Sequence, residues 1–409
     1  MARVRINLLI FKVFVKSNNL GGVLLFLSVI LSLIVANTSF ASFLQNLLDT
    51  TIGFENDYIH LDYTTSIWIN DGLMAVFFLL VGLEIKREII EGELSSPKKA
   101  LLPILAAIGG AAIPALIYLF FNSNSETSGG WGIPMATDIA FALAVISLLD
   151  KRIPNSLKIF LAALAIVDDL IAILVIAIFY SSGIEWTYLG MAGIGLIVLI
   201  LMNRFNVKNS YLYLIPGIFV WYFVHHSGIH ATIAGVLVAM TLPTNDTDIE
   251  SPLERLEHSL VNPVNYFIVP IFAFANTNIT IQNEMIEGLF SPIGLGISLG
   301  LLFGKPIGII LTSFICSKLK IGQLPANSSF LHMLGLGFLA GIGFTMSIFI
   351  SILSFDNKIF IEEAKLAVLL TSLVAGIVGF FVLRFSGKKK SLNEIPISFE
   401  KQSKISSSS

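Results

Sequence analysis

Residues 156–180 read SLKIFLAALAIVDDLIAILVIAIFY, an apolar run whose only charges are Lys158 near one end and the adjacent carboxylates Asp168 and Asp169 in the middle. About 20 apolar residues, rising ~1.5 Å each, cross the hydrocarbon core of a bilayer, so the run predicts a transmembrane helix with both aspartates near the midplane. Insertion scales put an aspartate at that depth at about +2.5 to +3.5 kcal/mol, so the pair persists only where it faces a polar cavity or finds partners. Neighbouring side chains on a helix point about 100° apart, which lets both border one cavity without sharing one hydrogen bond. Asp168 and Asp169 are therefore the first candidate site residues.

The rest of the chain has the same character. Of 409 residues, 55% are hydrophobic and 13% charged, and the mean hydropathy is +0.84, the composition of a polytopic membrane protein embedded in lipid. The single cysteine, Cys316, excludes an intrachain disulfide, and no spacing suggests a zinc or iron–sulfur site. No cofactor is expected, and no basic patch suggests nucleic acid. Apolar runs near 20 residues predict an all-α protein of twelve transmembrane helices, the first centred on Phe26 and the last on Ala375. The seventh and eighth share one run, from Tyr211 to Leu242, broken at His225-His226-Ser227-Gly228.

Charge placement orients these spans. All but three of the 25 Lys and Arg residues fall in the two termini and the even-numbered connections, which predicts an even number of spans with both termini cytoplasmic. The basic, then apolar, N-terminal stretch reads as a retained signal-anchor rather than a cleaved signal peptide. Residues 38–65 form a long polar connection on the outer side, with weak alternation in Tyr58-Ile59-His60-Leu61-Asp62-Tyr63 that suits a strand or hairpin. Residues 1–388 form the transmembrane domain, and the Lys- and Ser-rich tail 389–409 is expected to be disordered.

Glycines divide two spans. The fourth carries Gly130, Gly132 and Pro134 ahead of Thr137-Asp138, and the eleventh carries Gly335, Gly337, Gly341 and Gly343 ahead of Thr345. Spans 3–5 and 10–12 enter the membrane from opposite sides, the pattern of an inverted-topology repeat with an interrupted helix in each half. Close helix packing is the other use of such glycines. Four ionisable residues lie near span centres: Asp138, Asp168, Asp169 and Lys305. Isolated and charged, at about 3 kcal/mol each they would cost roughly 12 kcal/mol, as much as a whole domain's stability, so they must compensate one another. Lys305 is the only cation at that depth and pairs most naturally with an aspartate of the fifth span. Asp138 and Lys305 can also answer the dipole ends of broken helices.

Carboxylate oxygens suit hard cations, and the same oxygens take protons. A site that releases protons before it holds a cation is an exchanger, and two aspartates unloading protons for one monovalent ion would move net charge.

The segments Ala136-Thr137-Asp138-Ile139-Ala140-Phe141, residues 165–170, Phe303-Gly304-Lys305-Pro306, Ser227-Gly228-Ile229-His230-Ala231-Thr232, Phe272-Ala273-Phe274-Ala275-Asn276 and Gly343-Phe344-Thr345-Met346-Ser347 resemble the motifs of the NhaA-type bacterial sodium/proton antiporters, across about residues 18–385. That family is itself an example of the inverted-repeat architecture, so the two expectations are not independent. The resemblance implies an inner-membrane antiporter, usually a homodimer, that expels Na+ or Li+ in exchange for H+ and is activated at alkaline pH. It implies Asp168 and Asp169 as ion and proton carriers, Asp169 being the direct ligand. Thr137 and Asp138 would shape the crossed half-helices, and Lys305 would pair with Asp168 when the cation is absent. Glu84, Lys86, Arg87 and Glu88, with Glu257 and His258, match the family's cytoplasmic pH-response region. Where the family often has a further histidine, this chain has Val261, a departure that bears on the pH profile.

Plainer readings of the remaining polar residues stay open. The Glu84–Glu88 cluster also suits helix-end charge at a membrane boundary, and His258 also suits a solvated loop. Asp71, His225 and His226 line an outer vestibule or serve structure, His230 packs or caps, and Phe272 and Phe274 fill core. Other function classes fit the motifs less well, a channel least of all, since alternating-access repeats with a titratable site suit a carrier. An intramembrane aspartyl protease needs its aspartates on two helices in Tyr-Asp and Gly-x-Gly-Asp motifs, which are absent. A sodium-coupled organic-anion symporter of related fold lacks support from any cluster of basic residues at the midplane.

Overall fold

The computed structural model describes residues 20–386 except 58–59, 124, 150–151, 182, 245–249 and 282. The tail 389–409, the basic stretch ahead of residue 20 and Tyr58-Ile59 lie outside the described residues. Among those described the chain is mostly helical, with eight helices long and apolar enough to cross a membrane, and up to ten if each of two bent pairs is one span. The expected seventh and eighth spans are two short helices, Leu214–His226 and Ile233–Thr241. Gly228, at φ 80°, makes the left-handed turn between them that few other residues adopt at low cost.

The polar connection of residues 38–65 holds more structure than its polarity suggested. The Leu20–Ala36 helix turns by 109° into a second helix, Ala41–Asp49, which buries Leu44 and Leu48 on one side. Leu44 and Leu48 are four residues apart and so share a face, a helical period hidden by flanking polar residues. Thr51–Ile52 then pairs antiparallel with Tyr63–Thr64, and a bridge joins Glu55 to His60.

The packing that positions the centre of the bundle is backbone against backbone. On the Pro97–Asn122 and Pro292–Lys318 helices, a Cβ on Gly308 would run into the carbonyl of Gly109, and one on Gly109 into Thr312. This close approach sets Lys305, one turn from Gly308, deep in the core with no solvent exposure. Gly308→Ala gains about 0.8–1.0 kcal/mol of helix propensity but incurs about 1–3 kcal/mol of overpacking. Because the obstructing atoms are backbone and cannot rotate away, the overpacking wins. The variant is expected to unfold at lower temperature in detergent, and an unchanged midpoint would show that the two backbones are not in contact.

Among the described residues three spanning helices contain a π turn: Trp68–Leu73 within Thr65–Ile90, Val264–Ile268 within Pro252–Asn276, and Gly300–Gly304 within Pro292–Lys318. Each extra residue in a turn rotates the side chains that follow, and such turns recur at functional sites. Asp71 lies in the first, and Lys305 follows directly on the third.

Candidate functional site

Two interrupted helices meet at the centre. One consists of the 3-10 segment Ser128–Met135, an extended link and the helix Ile139–Ser147. The other consists of Phe330–Ala340 and Phe344–Ser354, bent by 47° at a short break. Interrupting a helix frees N–H groups at one end and carbonyls at the other, and when buried these must find partners.

Asp138 answers both N-termini. Its Oδ1 accepts the Phe141 N–H at 3.0 Å, as the N-cap of its own half-helix, and its Oδ2 accepts the Thr345 N–H at 3.2 Å and the Thr345 hydroxyl at 2.6 Å. Its backbone N–H donates to Ile342 O at 2.6 Å, which ties the two breaks together. Ser347 Oγ donates to Ile133 O at 2.7 Å. A single carboxylate held by two helix N-termini is favoured by the positive ends of both dipoles.

The C-terminal ends are met by donors. Lys305 Nζ donates to Met135 O, and the Thr137 hydroxyl lies 2.9 Å from Ala340 O and 2.6 Å from Asp168 Oδ2. Lys305 Nζ also stands 2.9 Å from Asp168 Oδ2, a fully buried ion pair. Thr137, Asp168 and Lys305 are thus one hydrogen-bonded group, with Asp138 joined to it through the extended link.

Asp168 and Asp169 come from the Asn155–Phe179 helix and are 2% and 3% exposed, so neither faces lipid or bulk water directly. Their surroundings differ. Asp168 Oδ2 is fully engaged, while Asp168 Oδ1 is buried with no hydrogen-bond partner. Asp169 makes no hydrogen bond or ion pair to any described residue. The adjacent carboxylates of Asp168 and Asp169 thus have a single ammonium beside them, Asp138 being held separately by two helix N-termini, so a fully ionised site would carry excess negative charge where water cannot screen it. Such a set takes up protons or a hard cation.

The remaining candidates form two groups away from this centre. At the Lys- and Arg-rich end, Arg87 bridges Glu88 at 3.1 Å and Glu257 at 2.9 Å, beside the buried Glu84. Lys86 Nζ donates to Met240 O at 2.7 Å and Leu242 O at 2.6 Å, closing the C-terminus of Ile233–Thr241. His258 stands apart on an exposed edge, 2.7 Å from Glu250. Toward the other end, Asp71 lies 3.4 Å from His225 and 4.0 Å from His230. The His230 ring meets Phe349 edge-on, and Phe349 touches Phe78 and Phe272, all three phenylalanines being fully enclosed. His226 meets Tyr63 at 3.1 Å, and burial followed by the neighbouring Tyr222 pushes the Tyr63 phenol up to about 12, so it remains a proton donor.

Several residues that complete the site carry no charge and so gave no signal of depth. Thr345 and Ser347 follow the glycines of the eleventh span, where a hydroxyl beginning a half-helix reads as a cap. Asn276 donates to Asn70 Oδ1 at 2.7 Å, linking the Pro252–Asn276 helix to the π turn at Asp71. That contact has no counterpart in spacing.

Comparison with known proteins identifies the family of the chain. A family model described as Na+/H+ antiporter 1 matches residues 12–383. The Na+/H+ antiporter NhaA 2 of Flavobacterium johnsoniae is 58% identical over 386 residues, covering 94% of this chain and 95% of that protein. The NhaA antiporters of Flavobacterium psychrophilum and Helicobacter pylori are 46% and 44% identical, with 92% and 94% of this chain and 96% and 97% of theirs covered. With apolar spanning helices and a match across nearly the whole length, the chain belongs to the Na+/H+ antiporter 1 family, as a multi-pass membrane transporter and not an enzyme.

Proposed function

We infer that the chain exchanges cytoplasmic Na+, or Li+, for external H+ across the bacterial inner membrane, moving net charge and responding to pH. The observation that carries this reading is the unequal pair: Asp168 bound by Lys305 and Thr137, and Asp169 beside it without a protein partner. Asp169 is the direct ligand of the transported ion in this reading. Asp168 joins it when the incoming cation supplies the positive charge that Lys305 otherwise provides. The buried, unpartnered Asp168 Oδ1 is an oxygen available for that contact. Protons and cation compete for the same oxygens, so loading one expels the other. Two protons leaving for one monovalent ion make the exchange electrogenic.

Thr137 and Asp138 keep the helix termini at the crossing satisfied, and the Thr137 hydroxyl also positions Asp168 through its Oδ2. Twelve spans, with spans 3–5 and 10–12 as inverted repeats, would let one repeat rock against the other around this fixed centre. The basic connections support a topology with both termini in the cytoplasm. The Glu84, Lys86, Arg87, Glu88, Glu257 and His258 group then sits at the cytoplasmic mouth, where its proton occupancy would set the working pH. The family resemblance supports a homodimer in lipid.

Everted membrane vesicles test the reading. Adding NaCl or LiCl to vesicles holding a proton gradient is expected to release protons, increasingly so from neutral to alkaline pH, while KCl does not. Clamping the membrane potential is expected to change the rate. Release that is equal for all three salts, or indifferent to potential, would overturn selectivity or electrogenicity respectively.

A further inference from the structure

At the Lys- and Arg-rich end, away from the ion site, a cavity of about 770 Å³ lies between the starts of the Pro97–Asn122 and Asn155–Phe179 helices and the segment after Lys318. Its rim carries Lys98, Lys99 and Lys320 against one carboxylate, Glu93. Glu93 is committed to Lys99 at 3.6 Å, and among the described residues neither Lys98 nor Lys320 has an ion-pair partner. The cavity therefore presents an excess of ammonium groups to whatever enters it.

Its walls are of another kind. Leu102, Pro103, Ile159, Phe160, Ala163 and Ile321 line it with hydrocarbon. Ile321, and Leu319 beside it in the chain, are exposed although large and apolar, so the apolar wall continues onto the surface of the bundle. The segment is held in place by contacts to both helices. Ser156 Oγ donates to Ala326 O at 2.6 Å, and Gly322 packs so closely on Leu102 that a Cβ there would stand 3.0 Å from its side chain. Lys320 itself adopts φ 58°, the left-handed region that glycine or asparagine fills more easily at a helix end. A lysine kept in that conformation, at the rim of a cationic pocket, fits a use for its charge.

We propose that this cavity binds the phosphate ester headgroup of an anionic phospholipid. The lysines take the phosphate, and the apolar wall takes the glycerol and the first methylenes of the acyl chains. Inorganic phosphate shares the anionic chemistry but would leave the hydrocarbon wall against water. Basic pockets between spanning helices at this side of a membrane recur as headgroup sites. The inference is independent of the transport reading, since none of these residues belongs to the ion site.

The test uses the purified full-length protein in a neutral detergent, with phosphatidylglycerol, phosphatidylcholine of the same acyl chains, or inorganic phosphate. Native mass spectrometry reads the bound lipid, and the thermal midpoint reads protection. Wild type is expected to retain phosphatidylglycerol over phosphatidylcholine, and K98Q/K99Q/K320Q to bind it about tenfold to a hundredfold more weakly. R152Q/R255Q, which removes charge from the same end outside the cavity, is expected to bind as wild type does, and so is K98R/K99R/K320R, which keeps the charge. The proposal is overturned if the glutamine triple retains phosphatidylglycerol like wild type, or if phosphatidylcholine is held equally. Protection by inorganic phosphate equal to that by phosphatidylglycerol would overturn the lipid assignment.

Discussion

Asp169→Asn is expected to reduce Na+-driven proton release in everted vesicles to the level of vesicles lacking the protein, while the purified variant unfolds at a temperature no lower than wild type. The two halves of this outcome follow from the same fact. Asp169 makes no hydrogen bond or ion pair to the described protein, so an amide of the same shape breaks nothing that holds the fold. It also removes one of two adjacent buried carboxylates beside a single ammonium. Buried like charges in a medium of low dielectric repel strongly, so losing one is neutral or stabilising. An amide neither takes up a proton in the working pH range nor offers the charge that offsets a cation's dehydration, so both cargoes lose their site together. The same change at Asp138 would have the opposite balance: its Oδ2 accepts from both the N–H and the hydroxyl of Thr345, so stability falls along with activity. Exchange that survived in the Asp169 variant would assign the carrier role to another group. A variant that failed to fold would mean that Asp169 has a structural partner.

How much of this was legible beforehand depended on whether a residue was out of place in its solvent. Asp168, Asp169, Asp138 and Lys305 stand out because a charge in an apolar run has to be explained, and the four lie together at the helix crossing or one bond from it. The breaks were legible as well, through Gly130, Gly132 and Pro134 in one helix and Gly341 and Gly343 in the other. What closes the site was not, because its partners are backbone carbonyls and hydroxyls that cost little wherever they occur. Met135 O, Ala340 O and Ile342 O become binding groups only once two separate helices are interrupted at the same depth. The π turn at Gly300–Gly304, just ahead of Lys305, leaves no trace in a hydrophobic pattern, since every residue in it is apolar or glycine. The Ala41–Asp49 helix was hidden for the converse reason: only two of its side chains are buried, too few to dominate a polar stretch.

Lys305→Met should be the most destabilising single change at the centre, and the comparison with Lys305→Met/Asp168→Asn shows why. Methionine keeps most of the volume of the lysine stem, so little cavity is created, but Asp168 then lies buried without its counter-ion. Breaking a buried ion pair from one side costs about 3–5 kcal/mol. The carbonyl of Met135 also loses its donor, and an unsatisfied buried acceptor costs about 1–3 kcal/mol. Replacing both members of a buried pair by neutral groups is often close to neutral, so the double variant should recover the larger of these two costs. It should not recover the smaller, because the Met135 carbonyl remains bare in both. Thermal unfolding in detergent is therefore expected to rank wild type above the double variant, and the double variant well above Lys305→Met. If the single and double variants unfolded together, the lysine would be holding the Met135 end of the broken helix and not the charge of Asp168, and the exchange of Lys305 for a cation at that carboxylate would lose its physical basis.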